Sequence, residues 1–165
     1  LFGDGSNDSA FSVSCWLKIE DVTSKYFITK GSGSSREWLF GFDASDKLAV
    51  EMRDESASVW SARYADSANT SIQNTWAHVA FTYDGSGGST GGNGITLYLN
   101  GSVLASTASN NGSYVAMEDQ SANIEIGKYN TTYMTGLIDE VKIYSDVLTA
   151  DEVAKNYNHG KGKHS

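Results

Sequence analysis

The feature that most constrains this chain is its division into short apolar runs of period two, each closed by Gly, Asn, Asp or Ser. Phe11, Val13, Cys15, Leu17 and Ile19 alternate with Ser12, Ser14, Trp16 and Lys18. Successive strand residues point to opposite faces, so this run predicts a strand with one face in the core. Similar runs recur roughly every eight to twelve residues, the spacing of an antiparallel sandwich. No strand–helix alternation follows, which excludes a parallel α/β sheet. The chain contains no proline, so glycine, asparagine and aspartate must shape the turns. The fold class is all-β, an antiparallel two-sheet sandwich.

In chain order, the polar loop Gly3–Ser9 precedes the first strand, and Tyr26–Thr29 is a second. Trp38–Phe42 and Lys47–Arg53 read as a hairpin around Asp43–Asp46, and Ser58–Tyr64 as the next strand. Trp76–Tyr83 places Val79 and Phe81 on one face with His78 and Thr82 on the other. The Asp84–Gly94 segment is so rich in glycine and serine that it reads as a mobile connection. Ile95–Leu99 runs into Asn100-Gly101, a strong hairpin signal, and returns through Val103 and Leu104. Ile124 and Ile126 mark another strand after a polar loop. Thr149 with Glu152 three residues on forms a capping box for one short helix, Thr149–Tyr157. Residues 1–158 therefore form one domain, and 159–165 a basic tail expected to fray. Leu1 and Phe2 read as the middle of a strand, so the chain is expected to belong to a longer polypeptide.

Charge narrows the partners. Twenty Asp and Glu stand against 12 Lys and Arg, a formal charge of −8, and the basic residues are scattered. Binding phosphates needs a basic patch, so nucleic acid is not an expected partner, nor is an anionic membrane surface. No apolar run is long enough to insert across a bilayer as a helix. Cys15 is the single cysteine and lies in an apolar pattern, which predicts a buried, inert thiol.

One stretch carries a conflict. In Gly136–Tyr144, Leu137, Val141 and Ile143 recur at period two and predict a core strand, yet Asp139 and Glu140 sit side by side within it. At least one carboxylate then points to the interior or an edge, where it needs a cation, a metal or several donors.

Four segments, Phe11–Lys18, Trp76–Gly85, Ile95–Gly101 and Gly136–Tyr144, resemble the laminin-G-like (concanavalin A-like lectin/glucanase) jelly-roll domains. The resemblance is to the variety found in bacterial surface and in phage or marine viral structural proteins. It implies a jelly-roll sandwich ending in one short helix, located extracellularly, on a cell surface or on a virion. It further implies a structural calcium ion, Ca2+, tying the first strand region to the last. Asp139 is then a ligand, with Asp8, Asp4 or Asn7 and the carbonyl of Gly31 completing an oxygen shell. The alternative is that Asp4, Asn7 and Asp8 are turn residues and Asp139 accepts backbone N–H bonds.

Aromatic rings are the usual platform for sugars, because C–H faces stack on π surfaces while neighbours bind hydroxyls. Trp60, Tyr64, Trp38, Arg53 and Tyr133 are the ligand-binding candidates, Trp60 foremost because its neighbours on that face are small. Retaining and inverting glycosidases need two facing carboxylates. Glu51 and Asp54 fall on opposite strand faces, and no Glu-x-Asp-x-Glu triplet occurs. The expected function is a non-catalytic, calcium-stabilised, lectin-like adhesion module for a glycan or cell-surface polysaccharide. The alternatives are a spacer or protein-adhesion domain and, less favoured, a glycoside hydrolase.

Overall fold

The first strand is buried on both faces, and this sets the architecture. The structure, a computed structural model, describes residues 2–164. Its strands are β1 (Phe11–Ile19), β2 (Tyr26–Ser32), β3 (Ser35–Phe42), β4 (Leu48–Asp54), β5 (Val59–Ala65), β6 (Ala77–Tyr83) and β7 (Ile95–Leu99). They continue as β8 (Ser102–Val103), β9 (Ser106–Ser109), β10 (Ile124–Ile126), β11 (Lys128–Tyr129), β12 (Thr132–Tyr133) and β13 (Gly136–Tyr144), followed by helix α1 (Ala150–Lys161). All pairs are antiparallel, in a five-stranded sheet β13-β1-β6-β7-β8 and a six-stranded sheet β10-β2-β3-β4-β5-β9, with β11-β12 a small ribbon. This is the jelly-roll sandwich expected. Phe11, Val13, Cys15, Leu17 and Ile19 meet Trp38, Phe40, Val50 and Met52 between the sheets. The Phe11, Trp38, Phe40 and Phe81 rings contact one another at 4.9–6.0 Å in tilted or edge-on pairs. Cys15 lies within this core, and burial pushes its thiol pKa far up, which keeps it inert.

The conflict in β13 is resolved by a β-bulge. Ile138 pairs with Leu17 and Asp139 with Trp16, after which the register shifts and Ile143 pairs with Val13. Glu140 takes a left-handed φ of 48° and is the extra residue. Ile138 and Val141 therefore face the core, whereas Leu137 is 58% exposed. A single period-two face through Leu137, Val141 and Ile143 is thus corrected: the inserted residue changes the parity. Asp139 moves to the outer face, where it accepts the Glu140 N–H at 2.7 Å and contacts His164 Nε2 at 3.0 Å. The backbone N–H first, and then His164, hold its carboxyl below the ordinary value.

That outer face is covered by α1 and the segment after it. Val153 packs with Ala80 and Tyr98, and Leu148 closes one end. Trp16 stacks on His164 at 4.5 Å and on Tyr157 at 5.5 Å, contacts contributing roughly 1–3 kcal/mol together. The expected frayed tail is therefore corrected for residues 159–164, Ser165 lying outside the described residues: α1 continues to Lys161, and His164 is buried with Nδ1 2.9 Å from the Gly160 carbonyl. The helix starts on the expected capping box, with the Thr149 hydroxyl and Glu152 bonding reciprocally. Gly160 lets the helix approach Trp16, since a Cβ there would lie 2.1 Å from the indole nitrogen.

The glycine-rich connection is packed, not loose. Gly88–Gly94 forms 3₁₀ turns, with Gly92 donating to Asn110 Oδ1 at 2.9 Å and its Cα against the Ala62 backbone. The Asn100-Gly101 hairpin has both residues at positive φ, 50° and 78°, as a type I′ turn requires.

Two predictions follow from this packing. Gly160→Ala should lower stability in urea unfolding by about 2 kcal/mol despite alanine's better helix propensity, because the helix must move off Trp16. Gly162→Ala, where nothing lies within 4 Å, should not. His78 is buried under the same helix, and burial lowers its pKa from 6.5 to about 4. The fold holds it neutral, so its contribution is present above pH 6.5 and lost as pH falls through 4. The loss is at most roughly 3 kcal/mol. Unfolding titrations from pH 7.5 to 4 should show that slope in the parent and a flatter one in His78→Gln.

Candidate functional site

The outer face of the six-stranded sheet is built by the same alternation that builds its core. With Trp38, Phe40, Val50 and Met52 inward, the side chains of Leu39, Glu51, Arg53, Trp60, Ala62 and Tyr64 point outward. Thr29, Leu39, Ala49 and Ala62 form a buried floor. Over it lie the larger side chains, centred on Glu51.

Glu51 Oε1 accepts the hydroxyls of Tyr26 at 3.0 Å and Tyr64 at 3.1 Å, and Oε2 accepts Arg53 Nη2. A carboxylate only 6% exposed needs such partners, two O–H donors and a guanidinium. Burial, and then the Glu51 charge, push the ionisation of both tyrosines far up, so they remain protonated donors. Arg53 in turn lies over the Trp60 ring, its Cζ 4.7 Å from the centroid. Trp60 is 40% exposed and is braced by that cation–π contact. Tyr129, on the β11-β12 ribbon, packs edge-on against Tyr26 at 5.1 Å. Beside Tyr64 the face falls into an open cleft of about 450 Å³, lined by Asp43, Ser45, Lys47, Asp66, Thr107 and Ser109.

Of the sequence candidates, the structure brings Trp60, Tyr64 and Arg53 together. Trp38 is a correction: it shares the inward parity of Phe40 and Phe42 and is fully buried. Tyr133 stands on β12, 66% exposed, with Lys128 Nζ 6.0 Å from its ring, apart from the Glu51 cluster. Sequence reasoning missed Tyr26 and the central role of Glu51. Glu51 had a signal, since it shares Arg53's face two residues away. Tyr26 had none, because it reaches Glu51 only through the pairing of β2 with β3 and β3 with β4.

The candidate calcium ligands do not form one shell. Asp8 Oδ2 accepts Tyr83 and Tyr114 hydroxyls at 2.7 and 2.8 Å, and Oδ1 accepts the Met117 N–H at 2.7 Å. Those donors occupy the positions a cation would need, and burial raises the Asp8 pKa. Asp4 accepts the N–H groups of Ser6 and Asn7, closing its own turn, and the Asn7 carbonyl accepts from Asp4. Gly31 lies in the other sheet, paired with Arg36. Asp139 is on the covered face with His164. Among the described residues no group of three or more His, Cys, Asp or Glu is placed to hold a metal. The set does not fit calcium as assigned, and the turn-residue alternative describes Asp4 and Asn7.

Fold and face together define a jelly-roll sandwich domain with one covered and one open sheet. The chain belongs to the concanavalin A-like lectin/glucanases superfamily, whose family model matches residues 2–154. No curated protein matches it in sequence. Among solved structures it is similar to domain 4 of AbnA, a GH43 extracellular arabinanase from Geobacillus stearothermophilus, in complex with arabinotriose. That match has 22% identity and a TM-score of 0.60, covering 92% of this chain and 68% of that one. It is similar also to the CBM40 of the Ruminococcus gnavus IT-sialidase bound to α2,3 sialyllactose, at 15% identity and TM-score 0.65, covering 93% and 84%. A third is the receptor binding domain of botulinum neurotoxin C/D mosaic serotype, at 18% and TM-score 0.62, covering 92% of this chain and 36% of that one. Identities this low bear on the fold alone.

Asp8→Ala should therefore destabilise the domain by a few kcal/mol, at roughly 1–3 kcal/mol for each buried donor left without a partner. Thermal melts with and without EDTA should superimpose. A chelator-induced drop that Asp8→Ala abolishes is the outcome that restores the metal reading.

Proposed function

We propose that this domain is a non-catalytic carbohydrate-binding module that serves a larger extracellular, cell-surface or virion protein. The observation that carries this reading is Trp60, exposed and in cation–π contact with Arg53, beside two tyrosine hydroxyls and an open cleft on one sheet face. A sugar ring stacks its C–H face on the indole while its hydroxyls meet the polar groups around Glu51. Because Glu51, the two tyrosines and Arg53 are already hydrogen-bonded to one another, little ordering remains to oppose binding. Support also comes from similar folds whose structures hold arabinotriose or sialyllactose.

The same geometry disfavours hydrolysis. Glu51 is ion-paired with Arg53, and Asp54 accepts the Ala57 and Val115 N–H groups. Neither faces the other across a cleft, as glycosidase carboxylates must. Among the described residues no helix is long and apolar enough to cross a membrane.

On a glycan array, the domain should give reproducible hits that Trp60→Ala weakens at least about tenfold, equivalent to 1.4 kcal/mol. A blank array, or hits indifferent to Trp60, favours the spacer reading instead.

A further inference from the structure

Resting on the carbohydrate-binding reading, we infer that this face takes a neutral oligosaccharide and discriminates against sialylated or uronate-bearing ones. The inference comes from how the cations of the six-stranded sheet and its ribbon are disposed. Arg53 is paired with Glu51, Arg36 with Glu55, and Lys128 with Glu125 at 3.2 Å. Lys30 is buried against Glu37 at 2.8 Å and also donates to the carbonyls of Gln120 and Ala122. Arg63 donates to the hydroxyl and carbonyl of Ser106. Lys47 lines the cleft together with Asp43 and Asp66. Along Trp60, Arg53, Glu51, Tyr64 and the cleft, three carboxylates thus stand against two cations. A sugar carboxylate docking on Arg53 meets Glu51 on the same guanidinium, and like charges so placed cost several kcal/mol.

Hydrogen-bonding polarity points the same way. Tyr26 and Tyr64 commit their hydroxyl protons to Glu51, so towards a ligand their oxygens can only accept. Asp43 and Asp66 are acceptors as well. These acceptors are matched by sugar hydroxyls, which bring donors, and not by an ionised carboxylate, which brings none. The face is also elongated. Trp60, Arg53, Glu51 and Tyr64 form one cluster, and the cleft of about 450 Å³ continues past Tyr64 over Asp66, Thr107 and Ser109. Cluster and cleft side by side offer more room than a single sugar ring fills, so the bound unit is an oligosaccharide.

The test is an array printed with matched pairs: lactose and sialyllactose, galactan and galacturonan fragments, and neutral arabinan oligosaccharides. Hits are then titrated by calorimetry at physiological salt. The expected result is binding to neutral members, with their acidic counterparts weaker by more than about tenfold. Glu51→Gln removes the opposing charge while keeping the shape, and should narrow or reverse that preference. Preferential binding of the parent to the acidic members, lost in Trp60→Ala, overturns the inference while leaving the carbohydrate reading intact. Absence of binding to every probe overturns the carbohydrate reading and this inference with it.

Discussion

The structure depends on β1 being buried on both faces. Its odd residues fill the space between the sheets, and Trp16, on the even face, lies under α1 and His164. A strand in that position can present nothing to a ligand, and the sheet around it is largely withdrawn from solvent by the helix. The bulge at Glu140 serves the same arrangement, since it turns Asp139 outward to meet His164 while keeping Ile138 and Val141 in the core. With one sheet closed in this way, the sheet face left open is that of the other.

Much of the fold was legible because alternation is a local signal. The runs that became β1 to β7 and β13 could be found from their parity alone, and the Thr149 capping box placed the helix. What local parity cannot show is an insertion that changes it. The run of Leu137, Val141 and Ile143 looks regular only if Glu140 is counted as an ordinary strand residue, and its positive φ is invisible in the sequence. Nor can it show what covers a strand's second face. Ser12, Ser14 and Trp16 form the second face of β1, and the alternation does not show that a helix more than 130 residues later is laid over them. The glycine-rich segment 88–94 misleads for a related reason: its glycines permit close contact with Ala62 and Tyr114 rather than free motion.

The site was legible where it lies on one hairpin. Trp60, Tyr64 and Arg53 share a face by parity on adjacent strands, and all three meet. Trp38 had the contrary signal in plain view, since Phe40 and Phe42 follow it at period two. Tyr26 and the Asp8 partners were beyond reach, because each depends on contacts between distant segments. Asp8 illustrates the difficulty well. An oxygen-rich loop is equally suited to a cation and to O–H and N–H donors, and only the position of Tyr83, Tyr114 and Met117 decides between them.

The chain uses one chemical device twice, with different consequences. Asp8 and Glu51 are each a carboxylate with one oxygen shared by two tyrosine hydroxyls. In both, low polarity around the group strengthens the hydrogen bonds and makes a missing partner costly, so the arrangement is rigid. The second oxygen distinguishes them. At Asp8 it accepts a backbone N–H, so the network ties the Gly3–Ser9 loop to β6 and to the segment before β10 and ends inside the protein. At Glu51 it accepts from Arg53, whose guanidinium lies on an exposed tryptophan, so the network ends at the surface. A carboxylate network that terminates in backbone closes a fold, whereas one that terminates in a stacked arginine and an open indole orders side chains at an exposed surface.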